Sequence, residues 1–253
     1  MKLTFLGTGT SQGVPVIACH CAVCSSNDGH DCRLRTSALL TSDTGKNILF
    51  DIGPDFRQQM LRQHVERLDA ILVTHAHRDH VAGLDDIRSF NYVQHSDMQI
   101  YLNGIAAHAL RRDYHYIFAP HDYPGLPEAC LHEVDGPFEA AGLEVVPVKV
   151  MHKDLPILAY RIGSMAYITD ANHIEPAEEE KLTGVDILVV NALRHEHHWS
   201  HYNLEEALQL IARLHPRQAF LTHISHEMGL HAEVEPNLPQ GVHLAYDNLT
   251  VEL

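Results

Sequence analysis

Asp69-Ala70-Ile71-Leu72-Val73-Thr74-His75-Ala76-His77-Arg78-Asp79-His80 is an apolar run that ends in three histidines and an aspartate within six residues. A strand with such an end delivers imidazole and carboxylate groups to one point, which is what a borderline divalent metal needs. The rest of the chain is read by asking what completes this site.

Other strands end in similar side chains. Leu143 to Val150 is an apolar strand running into Met151-His152. Leu158 to Ile162 and Met165 to Ile168 form the next pair, the second ending in Thr169-Asp170. Gln218 to Leu221 stops at Thr222-His223-Ile224-Ser225-His226. The strand-end donors His75, His77, Asp79, His80, His152, Asp170 and His223 are too many for one ion. Two three-ligand sets sharing Asp170 as a bridging carboxylate would hold two metals about 3.5 to 4 Å apart, the spacing of two-metal hydrolysis. Asp51 closes the strand Asn47 to Phe50 and is a candidate acceptor for a ligand histidine N–H.

The chain holds 22 histidines among 253 residues. Most, such as His64, His108 and His215, sit among polar or helical neighbours where no chemical role is expected. The glycine-rich segment Gly7 to Gly13 is followed by neither a Lys-Ser/Thr pair nor an amphipathic helix, which disfavours a phosphate loop. Cys19-His20-Cys21-Ala22-Val23-Cys24 is a closely spaced thiol cluster of the kind that binds metal in a reducing compartment. Three thiolates leave a tetrahedral zinc one ligand short, to be supplied by a distant histidine or by Cys32.

Local periodicity predicts strands over Lys2 to Leu6, Ser37 to Leu40, Gln99 to Leu102 and Val185 to Val190. It predicts helices from Pro54 to about His64, Val81 to Phe90, Ile105 to Arg112, Glu178 to Thr183 and Leu204 to Leu214, the last opened by an Asn203–Glu206 capping pair. Val242 to Tyr246 and Leu249 to Glu252 read as a closing hairpin. The segment Asp113 to Pro127, with Tyr114, Tyr116, Phe118, Tyr123, Pro120, Pro124 and Pro127, suits a substrate wall, a dimer surface or plain loop packing.

The length fits one large α/β domain or two small ones; one domain over residues 1–253 is expected, with no internal repeat or low-complexity linker. A net charge of -15 argues against binding the phosphate backbone of nucleic acid and favours a small substrate. The N-terminus offers no signal-peptide core and no run is long enough to span a membrane, so a cytoplasmic protein is expected.

The order H-x-H-x-D-H, then a lone His, an Asp and a final His, each after a strand, resembles the metallo-β-lactamase superfamily over essentially the whole chain. The resemblance implies an αββα sandwich of two mixed β-sheets flanked by helices, with metals at the edge between the sheets. By analogy, site one would be His75, His77 and His152, and site two Asp79, His80 and His223, with Asp170 bridging. His80 in this place looks like the hydrolase and nuclease branches, not the true β-lactamases with a cysteine ligand. Cys19, Cys21 and Cys24 together with Thr222 to His226 resemble the PhnP-type phosphoribosyl cyclic phosphodiesterases. That likeness implies a structural zinc on Cys19, Cys21, Cys24 and His226, two active-site divalent ions (manganese or zinc) and a homodimer. It also implies His201 as general acid, with His195, His197 and His198 as alternatives on the same loop.

The expected reaction is hydrolysis of a small cyclic phosphodiester, 5-phosphoribosyl 1,2-cyclic phosphate or a 2′,3′-cyclic nucleotide, by a water activated between two metals. His201, at an ordinary histidine pKa, would protonate the leaving alkoxide. The rivals are a tRNA 3′-end endonuclease, a thioesterase and a non-catalytic PqqB-like metabolite binder.

Overall fold

The computed structural model describes residues 1–120, 123 and 125–253. Pro124 of the aromatic segment therefore lies outside the described residues.

Two seven-stranded mixed sheets form the centre of the molecule. The first holds β1 (Lys2–Gly7), β2 (Ser37–Thr41), β3 (Asn47–Phe50), β4 (Ala70–Leu72), β5 (Met98–Leu102) and β6 (Ala129–Glu133). The second holds β7 (Phe138–Ala140), β8 (Leu143–His152), β9 (Leu155–Ile162), β10 (Met165–Tyr167), β11 (Ile187–Asn191), β12 (Gln218–Thr222) and β13 (Val242–Leu244). The last strand, β14 (Thr250–Glu252), returns to the first sheet as its edge, beside β1. Each sheet has an antiparallel half (β14-β1-β2-β3 and β7-β8-β9-β10) and a parallel half (β3-β4-β5-β6 and β10-β11-β12-β13). The two halves of the chain thus repeat one topology without a repeat in the sequence.

The inner faces meet in a core built from both sheets, with Phe5, Leu40 and Phe50 from one and Tyr160, Tyr167, Val189 and Phe220 from the other. The outer face of the first sheet packs on Phe56, Met60, Phe90 and Leu110 of three helices, and that of the second on Ala207, Leu210 and Ile211 of the helix Leu204–Leu214. β4 and β11 are buried on both faces, which explains their unbroken apolar runs. The result is the expected αββα sandwich. The helix Leu204–Leu214 starts at a complete capping box: the Glu206 N–H donates to Asn203 Oδ1 at 2.9 Å and the Asn203 N–H to Glu206 Oε2 at 2.9 Å. No helix among the described residues is long and apolar enough to cross a membrane.

Two local expectations need correction. Val242 to Glu252 is not a hairpin, because β13 pairs parallel with β12 while β14 joins the other sheet; the turn at Asp247 serves as a bridge between sheets, its carboxylate accepting from Thr8 N–H and Leu34 N–H at 3.0 Å each. Val81 to Phe90 is not one helix. Arg78–Val81 and Arg88–Gln94 are α-helical, and a 3₁₀ turn, Leu84–Ile87, separates them. At Gly83 a Cβ would sit 2.4 Å from the Gly53 carbonyl oxygen, so the chain needs glycine for this close approach. The early residues of the aromatic segment take the packing alternative and lie against this stretch: the Tyr114 hydroxyl donates to the Val81 carbonyl at 3.1 Å and that of Tyr116 to Asp85 at 3.0 Å. Packing, not a substrate wall, accounts for these two tyrosines.

Candidate metal centre

The strand ends converge at one edge of the sandwich. The segment after β4 carries His75, His77, Asp79 and His80; β8 ends in His152; Asp170 follows β10 and His223 follows β12. Asp51, Asp170 and His223 have φ of 57°, 57° and 55°, the left-handed region that costs a non-glycine residue on the order of 1–3 kcal/mol. The chain therefore turns sharply just beyond three strands, which aims Asp170 and His223 at the centre and Asp51 at the back of the His80 ring.

His75, His77 and His152 form one group of donors, and Asp79, His80, Asp170 and His223 a second, each with ligand atoms within 4.8 Å of one another. Asp170 also groups with His152 and His201, so it touches both sets. His75 Nε2 and His77 Nδ1 are 3.0 Å apart, close to the roughly 3.3 Å edge of a tetrahedron with zinc–nitrogen bonds of about 2.0–2.1 Å. His80 Nε2 is 3.2 Å from Asp79 Oδ2 and 3.2 Å from Asp170 Oδ2. His223 Nε2 is 3.2 Å from Asp170 Oδ1.

The donor chemistry fits a pair of cations. Both nitrogens of His223 and the Nε2 of His80 are buried without a hydrogen-bond partner, although carboxylate oxygens lie near them. Buried, unpaired imidazole nitrogens aimed with two carboxylates at one point are what a divalent ion satisfies. Tautomers are set from behind. His80 Nδ1–H donates to Asp51 Oδ2 at 2.7 Å. His75 Nδ1–H donates to Thr74 Oγ1 at 3.0 Å, and that hydroxyl donates to Asp51 Oδ2 at 2.9 Å. His152 Nδ1–H is shared between the carbonyls of Asp170 (2.8 Å) and Ser200 (3.0 Å). In all three rings the other nitrogen keeps its lone pair for the centre.

Electrostatics agree. Burial alone would raise the pKa of Asp170, but positive charge on the rings of His223 and His80 holds it well below the carboxylate range. Against burial, Asp170, Asp79 and Asp51 hold His80 well above the usual histidine value. The carboxylates thus favour at this point a positive charge that a bound ion would supply in place of the ring proton. Burial drives His75 well below the usual histidine value, helped by neighbouring His80, so its ring is neutral.

His201 lies where the loop before the helix Leu204–Leu214 reaches the centre, with Nε2 3.0 Å from Asp170 Oδ1 and Nδ1 2.9 Å from Ser200 Oγ. It does not keep an ordinary histidine pKa: burial pushes it down to about 4 against the pull of Asp170. Of its alternatives, His195 Nε2 is held by the Met228 carbonyl (2.9 Å) and His197 pairs with Glu206 (3.0 Å). His198 stands behind His201, its Nδ1 3.1 Å from that of His201.

Cys19, Cys21, Cys24 and His226 form a separate donor group. His226 Nδ1 is 3.4 Å from Cys19 Sγ and 3.3 Å from Cys21 Sγ. Cys32 is exposed and outside this group, so the residue that stands with the three thiols is the distant His226. A hydrogen bond from the Cys24 N–H and the neighbouring His226 lower the Cys21 thiol to about 6, while burial pushes Cys24 up to about 11. A bound cation would offset the burial that keeps the Cys24 thiol protonated.

The sequence reading passed over Thr74, Ser200 and Asn191. Asn191 brackets the turn after Asp170, accepting from Ala171 N–H at 2.8 Å and donating to its carbonyl at 3.0 Å. Each lies at a strand end or beside a donor, the only sequence signal that could have marked them.

A family model for the β-lactamase superfamily domain matches residues 46–224, which encloses all seven donors of the centre. The chain belongs to the metallo-β-lactamase superfamily and within it is PhnP-like. The crystal structure of a diphosphatase from the PhnP family superposes with a TM-score of 0.92 at 41% identity, covering 100% of this chain and 97% of that one. Zinc-bound PqqB from Methylobacterium extorquens shares the fold, with a TM-score of 0.81 at 19% identity over 100% of both chains. A protein named octanoyltransferase from Porphyromonas gingivalis is 44% identical over 252 residues, 98% of this chain and 51% of that protein. The chain thus spans about half the length of that curated relative, and less of the ribonuclease Z and coenzyme PQQ synthesis protein B relatives it also matches.

Proposed function

We propose that residues 1–253 act as one metal-dependent phosphodiesterase unit that hydrolyses a small cyclic phosphodiester, of the 5-phosphoribosyl 1,2-cyclic phosphate or 2′,3′-cyclic nucleotide type. The observation that carries this reading is Asp170, which contacts both donor groups and His201 at once. His75, His77 and His152 would hold one ion and Asp79, His80 and His223 the other, with Asp170 between them. Cys19, Cys21, Cys24 and His226 would hold a structural zinc. When bound, the two active-site ions would acidify a water and offset charge on the phosphoryl oxygens.

The remaining work falls to the chain itself. Asp51 and Thr74 keep the rings of His80 and His75 in the tautomer that leaves Nε2 free. His201 holds a proton on Nε2 next to Asp170. A phosphoryl anion arriving beside the ring opposes the effect of burial and raises its proton affinity. The ring thereby takes up a second proton from solvent on Nδ1, where Ser200 Oγ accepts its hydrogen bond, and the resulting imidazolium donates its Nε2 proton to the oxygen that leaves phosphorus and returns to the neutral ring.

A second reading, hydrolysis of an acyl ester or thioester, is favoured by the identity to half of a protein named octanoyltransferase. One panel separates the readings: the manganese- and zinc-loaded protein is assayed on a ribosyl 1,2-cyclic phosphate, 2′,3′-cyclic nucleotides, a linear diphosphate and an octanoyl thioester. Turnover of the cyclic diesters is expected, and turnover of the thioester alone would overturn the reading. Loss of a general acid costs about 10²- to 10⁴-fold for a poor leaving group. His201→Ala should therefore depress kcat far more on the cyclic diesters than on a 4-nitrophenyl diester. Equal losses would reassign His201 to holding Asp170.

A further inference from the structure

A cavity of about 200 Å³ lies beside His75 and His77. It is walled by the loop that carries these two histidines, by the helix Gly104–Asp113 and by the start of β9, where Leu155 stands opposite His152 in the β8–β9 ladder. The walls are apolar, built from Ala76, Ile105, Ala106, Ala109, Leu155 and Pro156. The polar side chains among them, the metal donors aside, are already engaged. Asn103 Nδ2 donates to the Pro156 carbonyl at 3.2 Å, and Asn103 Oδ1 accepts from the Ala106 N–H at 2.8 Å. Asp113 pairs with Arg112 at 2.7 Å. The bond from Asn103 to Pro156 also ties the helix to β9, so these two walls keep their spacing.

Such a space suits hydrocarbon better than sugar. Hydroxyls placed against these walls would lose water without gaining a partner, whereas methylenes gain by leaving water. Ile105 is 52% exposed, and a chain in the cavity would cover apolar surface there. Size limits the guest: about 150 Å³ holds one benzene, so this volume suits a chain of about six to eight carbon atoms. The cavity meets the donors at His75 and His77, whereas His201 groups with His152 and Asp170. A chain held in the cavity thus reaches the centre at a different point from a group beside His201, so the two halves of one ester can be held apart.

We propose that this cavity binds the acyl chain of a medium-chain ester or thioester, which the same centre hydrolyses as a further activity. Ile105 and Ala109, one turn apart on the same helix face, are the side chains that select for the chain. In the reaction, water bonds through its oxygen to the acyl carbon and releases one proton to solvent. The bond from that carbon to oxygen or sulfur breaks with its electron pair on the leaving atom, which takes up a proton, and the new carboxylic acid ionises. One ester and one water thus give one carboxylate, one alcohol or thiol and one proton. The inference rests on acyl hydrolysis, the second reading above, and stands whether or not the centre also cleaves phosphodiesters.

Calorimetry on the metal-loaded protein with sodium octanoate and sodium acetate tests the cavity without turnover. Octanoate should bind at least about 10-fold more tightly than acetate, and Ala109→Phe, which fills the space, should abolish the difference. Ile105→Asp, at a half-exposed position, should shrink it about 10-fold and keeps the test open if Ala109→Phe folds poorly; Tm is read for both. Equal affinity for the two acids, or an octanoate preference that survives the substitutions, would overturn the proposal. Kinetics supply the second arm, with 4-nitrophenyl esters from acetate to dodecanoate. In the parent protein kcat/KM should rise about threefold per added methylene and level off near about eight carbons. A flat profile, or one that the substitutions leave unchanged, would refute the role of the cavity, and octanoate binding without turnover of any ester or thioester would refute the activity. The cyclic diesters are assayed on the same preparations: their turnover without ester turnover keeps the phosphodiesterase reading and removes this one, and ester turnover with the expected profile but no diester turnover does the reverse.

Discussion

Asp51→Asn is the most informative single substitution, because it changes one atom in a buried network. Asp51 is fully buried and accepts four short contacts: from Thr74 N–H (2.8 Å), from the Thr74 hydroxyl (2.9 and 3.1 Å to its two oxygens) and from His80 Nδ1–H (2.7 Å). A carboxamide can still accept from Thr74 through Oδ1. Its NH₂ group then faces the His80 Nδ1–H, donor against donor. The ring relieves the conflict by moving its proton to Nε2, which points at Asp79 and Asp170. A protonated Nε2 cannot bind metal.

The expected cost is about 10- to 100-fold in affinity for the ion of the second site, or about 1.4 to 2.8 kcal/mol. The fold should suffer less, by about 1–3 kcal/mol, since one buried hydrogen bond is misdirected and the rest persist. Asp51→Ala, which strands both partners, should cost about 3–5 kcal/mol. For a chain of this size that is a fall in Tm of very roughly 6–20 °C. The assay equilibrates parent and variant against buffered zinc and manganese, with metal content read by mass spectrometry and Tm by scanning calorimetry. If Asp51→Asn retains both exchangeable ions at the parent affinity, the account of how His80 is oriented is wrong.

Removing the thiol cluster should separate structure from chemistry. His226→Ala is expected to lose one tightly held zinc per chain, keep the two exchangeable ions and fall in Tm by several degrees; zinc content equal to the parent would show that the cluster holds no metal. Asp69 offers a pH test away from the metals. Burial would raise its pKa, but the Asn47 N–H (2.9 Å), Arg67 (2.7 Å) and Lys46 (3.1 Å) hold it below the usual carboxylate value. Its folded pKa lies under the unfolded value, so its stabilisation is complete above about pH 3.9 and fades as pH falls through the folded pKa. Asp69→Asn should accordingly be less stable than the parent at pH 7, with the gap closing in acid; a gap constant down to pH 2 would refute the assignment.

The sequence by itself determined which side chains can bind metal and that each ends a strand, because both properties are local. An apolar run followed by His or Asp reads the same whatever surrounds it, and His75, His77, His80, His152, Asp170 and His223 were all visible in this way. The capping box at Asn203 and Glu206 was legible for the same reason. Tertiary structure decided everything that depends on partners far along the chain. Whether His226 or Cys32 stands with Cys19, Cys21 and Cys24 turns on a strand end about 200 residues away from the thiols, beyond any local pattern. The sheet that receives Val242–Leu244 and the one that receives Thr250–Glu252 differ because alternation marks a strand without naming its neighbour. Residue type predicts an ordinary pKa for His201, but burial beside His223 and His152 removes its water and lowers it to about 4 against the pull of Asp170. The histidine run His75 to His80 supplied donors; the sandwich, by bringing four more strand ends to the same edge, made them a two-part centre.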